Sequence, residues 1–68
     1  MKYLLAGTYQ QAVACARELK LSQHEWRYLS GPADLLGIRN PDVVVYGTPW
    51  QRSDYHMLKQ EIAARTTP

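Results

Sequence analysis

The sequence predicts an α/β fold: a three-stranded parallel sheet of spatial order 2-1-3, flanked by helices. Three observations lead there. Two apolar runs of four, Tyr3-Leu4-Leu5-Ala6 and Val43-Val44-Val45-Tyr46, are each bounded by a glycine, as expected of strands buried on both faces. Apolar residues recur at three- and four-residue spacing after Tyr9 and again after Tyr55, the mark of amphipathic helices. Both apolar runs also end in Gly-Thr, which suits a strand that hands over to a helix.

The first strand is Tyr3 to Ala6. From Tyr9 to Leu21, Tyr9, Ala12, Val13, Ala16 and Leu19 share one side, and Gln10, Gln11, Arg17, Glu18 and Lys20 take the other, which predicts the first helix. Glu25-Trp26-Arg27-Tyr28-Leu29 alternates aromatic with charged residues and reads as a half-covered edge strand. Pro32-Ala33-Asp34-Leu35-Leu36-Gly37 opens with proline and stops at glycine, so one or two helical turns are expected. Asn40-Pro41-Asp42 turns the chain into the third strand. Ser53-Asp54 offers an N-cap for a last helix in which Tyr55, Leu58 and Ile62 share a face and Lys59, Glu61 and Arg65 stay solvated; Thr66-Thr67-Pro68 is expected to fray.

The resulting order is two consecutive βαβ units, whose crossovers are right-handed. Placing the most apolar strand centrally gives 2-1-3, with the first helix on one face, the short helix on the other and the last helix returning to the first helix's face. The order 1-2-3 would bury Glu25 and Arg27 in a central strand, at a cost of several kcal/mol each without partners. Residues 1–68 thus read as one minimal Rossmann-like domain.

Composition narrows the function classes. A chain of 68 residues buries only about 60% of its unfolded surface, so stability is slim. Eight Lys/Arg against six Asp/Glu give a net charge of +2 without any basic run, which disfavours a dedicated nucleic-acid module. Cys15 is the only cysteine and, beside Ala14 and Ala16, reads as a small buried filler. His24 and His56 are far apart, so no metal is expected. The apolar stretch Tyr3 to Ala6 is too short for a signal core or a membrane span, and a cytoplasmic location is expected.

Named chemistries find little support. Neither G-x-G-x-x-G nor G-x-x-x-x-G-K-[ST] occurs, so the common phosphate cradles are missing and no cofactor is expected. No acidic residue ends a strand, and Ser53, Asp54 and His56 would point in different directions on a helix. No catalytic set emerges, and a non-enzymatic protein is expected.

Gly7-Thr8 and Gly47-Thr48 then allow two readings. One is turn chemistry alone. The other follows from the order 2-1-3, which sets the carboxyl ends of strands 1 and 3 side by side, where open α/β sheets bind ligands. Two helix N-termini would aim N–H groups into that crevice beside Thr8, Thr48, Arg52 and Ser53, a setting for an anion. Trp50 in its polar loop next to Arg52 suits either a partner contact or a lid on a small core. The candidate binding residues are therefore Gly7, Thr8, Gly47, Thr48, Trp50, Arg52 and Ser53.

Ala6-Gly7-Thr8, Trp26-Arg27-Tyr28, Leu29-Ser30-Gly31, the valine run and Gly47-Thr48-Pro49-Trp50-Gln51-Arg52 follow the pattern "AGT", "W-x-Y", "L-x-G", valine-rich strand, "GT-x-W-x-R". In this the chain resembles very short Rossmann-like proteins encoded by phages of actinobacteria. The resemblance implies a small phage accessory protein in the host bacterial cytoplasm, and it brings no activity or catalytic residue with it.

The leading expectation is a module that binds a host or phage protein. The alternative is a binder of a nucleotide or other phosphorylated small ligand at the ends of strands 1 and 3. A second alternative is weak, salt-sensitive nucleic-acid binding through Arg17, Lys20, Arg27, Arg39 and Arg52. A homodimer is also expected, because Val43-Val44-Val45 would form an edge with no lysine or proline to protect it.

Overall fold

The computed structural model describes residues 1–66. Its strands are β1 (Lys2–Ala6), β2 (Trp26–Tyr28) and β3 (Asp42–Tyr46), and its helices are α1 (Tyr9–Glu18) and α2 (Tyr55–Arg65). Short 3₁₀ turns at Pro32–Leu35 and Pro49–Gln51 complete the chain order. The strands are all parallel in the order β2-β1-β3, an α/β fold of minimal Rossmann-like type. Thr67 and Pro68, part of the expected fraying segment, lie outside the described residues.

β1 takes the centre because its side chains suit burial on both faces. Tyr3 and Leu5 join Leu29, Leu35 and Leu58 in one core layer, and Leu4 and Ala6 join Ala12, Cys15 and Ala16 in the other. Alternation along the strand makes that division. The small residues of α1 let its axis sit close to the sheet, so Cys15 is the buried filler the sequence predicts. β3 departs from the expectation of burial on both faces. It is an edge, Val43 and Val44 are half-buried, and Val45 is 61% exposed.

The last helix also departs from expectation. α2 packs on the face opposite α1, where Leu58 is fully buried and Tyr55 and Ile62 lie against the layer of Tyr3 and Leu5. The reason is area. The Pro32–Leu35 turn sets only Leu35 into that face and cannot cover a three-stranded sheet, so the long helix supplies the rest.

α1 stops three residues before the predicted Leu21. Lys20 takes a positive φ of 55°, the Leu21 N–H donates to the Ala16 carbonyl at 2.9 Å and the Lys20 N–H to the Arg17 carbonyl at 3.1 Å. That is a Schellman closure with lysine in the usual glycine position, and it folds Leu21 back onto the α1 core layer. Gly37, at φ 76°, ends the Pro32–Leu35 segment as its sequence suggests.

Candidate functional site

The fold brings the two Gly-Thr handovers together at the carboxyl end of the sheet. A Cβ on Gly7 would stand 2.7 Å from both the carbonyl oxygen and Oγ1 of Thr48. Thr8 caps α1, its Oγ1 accepting the Gln11 N–H at 3.1 Å. Thr48 starts the Pro49–Gln51 turn without a capping bond of its own.

What lies between the handovers is Gln11. Its side-chain oxygen accepts the Gly7 N–H at 2.8 Å and the Thr48 N–H at 3.1 Å, and its amide nitrogen donates to Thr48 Oγ1 at 3.2 Å. One amide thus satisfies main-chain groups from both turns. Gly47 sits against the same side chain at φ 71°, where an added Cβ would overlap Gln11 Oε1 and Cδ. Glycine is needed there for conformation and for space.

Arg52, in the loop before α2, turns its guanidinium inward to the carboxyl end of the sheet. Nε and Nη2 form a fork on Asp54 at 2.9 and 2.8 Å. Nη1 donates to the Ala6 carbonyl at 3.2 Å and the Leu29 carbonyl at 2.6 Å, at the ends of β1 and just beyond β2. The cation lies 5.3 Å from the centre of the Tyr28 ring, and the side chain is only 10% exposed. Four of a guanidinium's five N–H donors are therefore used inside the molecule. Strand-end carbonyls with no further strand partner need such donors when water is excluded.

This arrangement alters the expected cap of α2. Asp54 does occupy the N-cap position, but its carboxylate makes no capping bond because Arg52 holds it. Ser53 is exposed. Trp50 is 61% exposed, and Pro49 beside it is the residue that becomes buried.

Of the seven predicted binding residues, Gly7, Gly47 and Thr48 gather around the Gln11 side chain, Thr8 caps the helix that carries it, Arg52 ties the Ala6 and Leu29 carbonyls, and Trp50 and Ser53 face solvent. The sequence placed Gln11 on the polar side of the first helix and Asp54 at a cap, and marked neither as a site residue. Thr8-Tyr9-Gln10-Gln11 carries the T-x-x-Q spacing of a capping box, which marks Gln11 as a residue that turns back toward the start of its helix. Arg52-Ser53-Asp54 places two opposite charges within one turn.

Tyr9, Trp26 and Tyr28 form an aromatic group at the β2 edge, with Tyr9 edge-on to Tyr28 at 5.7 Å and tilted to Trp26 at 6.2 Å. Burial, aided by the Glu18 charge, pushes the Cys15 thiol above its ordinary pKa, which keeps it protonated and poorly nucleophilic. No group of three or more His, Cys, Asp or Glu able to hold a metal occurs among the described residues. Among the same residues no helix is long and apolar enough to cross a membrane. Comparison with protein-family models, with curated proteins and with solved structures finds no match to the chain.

Proposed function

We propose that this chain is a non-enzymatic protein-interaction module whose contact surface centres on Trp50. The observation that carries this reading is the contrast between Trp50 and its neighbours. The polar groups at the carboxyl end of the sheet are consumed internally by Gln11 and Arg52, while the large aromatic side chain of the same loop is left 61% exposed. Buried Pro49 and the 3₁₀ turn hold that loop, so Trp50 is presented from a fixed support. An exposed tryptophan on a rigid turn loses little conformational entropy on binding and is the residue type most enriched at interface hot spots.

The anion-binding alternative has less support. An arriving phosphate would have to draw Arg52 from Asp54 and from two main-chain carbonyls, or Gln11 from two N–H groups. The role as a phage accessory protein in a bacterial cytoplasm, with a host or phage protein as partner, belongs to the same proposal and rests on the resemblance of the motifs.

The test is affinity capture from host lysate with wild type and Trp50→Ala in parallel, joined to thermal shift against a nucleotide panel. The expected result is a discrete protein held by wild type and lost by Trp50→Ala, with no nucleotide raising the unfolding temperature. Equal capture by both chains, or a clear shift with a nucleotide, would overturn the reading.

A further inference from the structure

We propose that two copies of this chain pair through β3 into one continuous six-stranded sheet. The inference rests on the strand alone and holds whether or not Trp50 carries a partner.

The phase of the sheet's hydrogen bonds decides which groups β3 leaves open. The Lys2 N–H donates to the Glu25 carbonyl, and the Leu4 carbonyl accepts the Leu29 N–H. Even-numbered residues of β1 thus turn their main chain to β2, and Tyr3 and Leu5 turn theirs to β3. With Tyr3 beside Val43 and Leu5 beside Val45 in parallel register, Tyr3 and Leu5 bond to Asp42, Val44 and Tyr46. The N–H and C=O groups of Val43 and Val45 therefore point outward, and no partner for them occurs among the described residues.

Two outward residues flanking a central one suit a two-fold axis. Set antiparallel with Val44 opposite its own copy, each Val43 faces the second copy's Val45, and each such pair exchanges two N–H···O bonds. Four main-chain bonds then cross the axis. Asp42, the only charged residue of the strand, falls opposite Tyr46 instead of another aspartate, and Lys2 already holds it at 2.8 Å.

The side chains agree with the backbone. Val43 and Val45 lie on the α2 face, where with Leu5, Tyr55, Ile62 and Ala63 they line a largely apolar groove of about 340 Å³. The one charged lining residue, Lys59, has its ammonium 5.6 Å from the centre of the Tyr55 ring. A two-fold axis perpendicular to the sheet keeps both grooves on one face and joins them, so the exposed Val45 is covered by the second copy's Val43. The surface is self-complementary, as an isologous contact requires, and the strand carries no lysine, proline or bulge that would block it. The two Trp50 turns, each beyond the carboxyl end of its β3, would then sit at opposite ends of the joint strand pair.

Sedimentation velocity over low to high micromolar concentrations tests this on the full chain, with folding checked by circular dichroism. Wild type is expected to be a dimer at high concentration. Val45→Lys alters an exposed side chain, so it should fold normally and raise the dimer dissociation constant at least tenfold. Leu36→Lys, also at an exposed position but off the strand, should leave it unchanged. Amide exchange at Val43 and Val45 should slow as concentration rises. A monomer throughout would overturn the proposal and leave β3 to another segment or another protein's strand. A dimer that Val45→Lys does not weaken would overturn it in favour of a different face.

Discussion

Gln11 and Thr48, separated by 37 positions, are joined twice: the Gln11 amide oxygen accepts the Thr48 N–H at 3.1 Å, and its nitrogen donates to Thr48 Oγ1 at 3.2 Å. The same oxygen holds the Gly7 N–H. Leaving buried or half-buried main-chain groups unsatisfied costs about 1–3 kcal/mol. Gln11→Ala is expected to lose stability in that range by urea denaturation, and an unchanged midpoint would mean that water replaces the amide without loss.

Gly47→Ala should cost more than Gly37→Ala. Both glycines have positive φ, 71° and 76°, where an L-residue costs about 1–2 kcal/mol. Gly37 has open space around its missing side chain, whereas Gly47 faces Gln11. The excess measured by denaturation should shrink when Gly47→Ala is made in the Gln11→Ala background. An excess of the same size in both backgrounds would contradict the overlap.

The two core layers predict an order of damage. Leu5→Ala and Leu58→Ala each remove a fully enclosed side chain, and such truncations cost about 2–5 kcal/mol. Val44→Ala removes less from a half-buried edge position and should cost less than either. Chemical denaturation that ranks Val44→Ala first would place the core elsewhere.

Much of this fold was legible in the residues. Apolar runs identify β1 and β3, the charged Glu25 and Arg27 keep β2 at an edge, and small residues mark the buried side of α1. The face chosen by α2 was not legible, because it depends on how little of the sheet one 3₁₀ turn can cover, and no local pattern records that. The handovers at Gly7 and Gly47 were visible as a pair. The inward turn of Arg52 was hidden because arginine in a polar loop reads as exposed, and only the fork to Asp54 and the open carbonyls of Ala6 and Leu29 draw it in.

Asp34 sets an acid limit on one turn. Its carboxylate accepts the Ser30 N–H and hydroxyl, both at 2.8 Å. Partial burial raises its pKa, but the Ser30 and Gly31 bonds and the Arg27 charge outweigh that and hold it below the ordinary aspartate value. A depressed folded pKa means stability present above the unfolded pKa and lost as pH falls through the folded one. The thermal midpoint of wild type should thus fall on acidification below about pH 4, the ordinary aspartate range. Asp34→Asn should show a smaller part of that fall, and identical acid profiles would remove Asp34 as a contributor.

Arg52 holds the carboxyl end of the sheet together while Trp50 stands free of the fold, and urea denaturation of Arg52→Ala beside Trp50→Ala distinguishes the two roles. Removing one partner of a largely buried, hydrogen-bonded ion pair costs about 3–5 kcal/mol. Arg52→Ala should lose stability of that order, since Asp54 and two main-chain carbonyls lose their donor. Trp50→Ala should stay within about 0.5 kcal/mol of wild type, as surface substitutions do. The reverse result, with Trp50→Ala unfolding the chain and Arg52→Ala leaving it intact, would make Trp50 the lid of the core and contradict the claim.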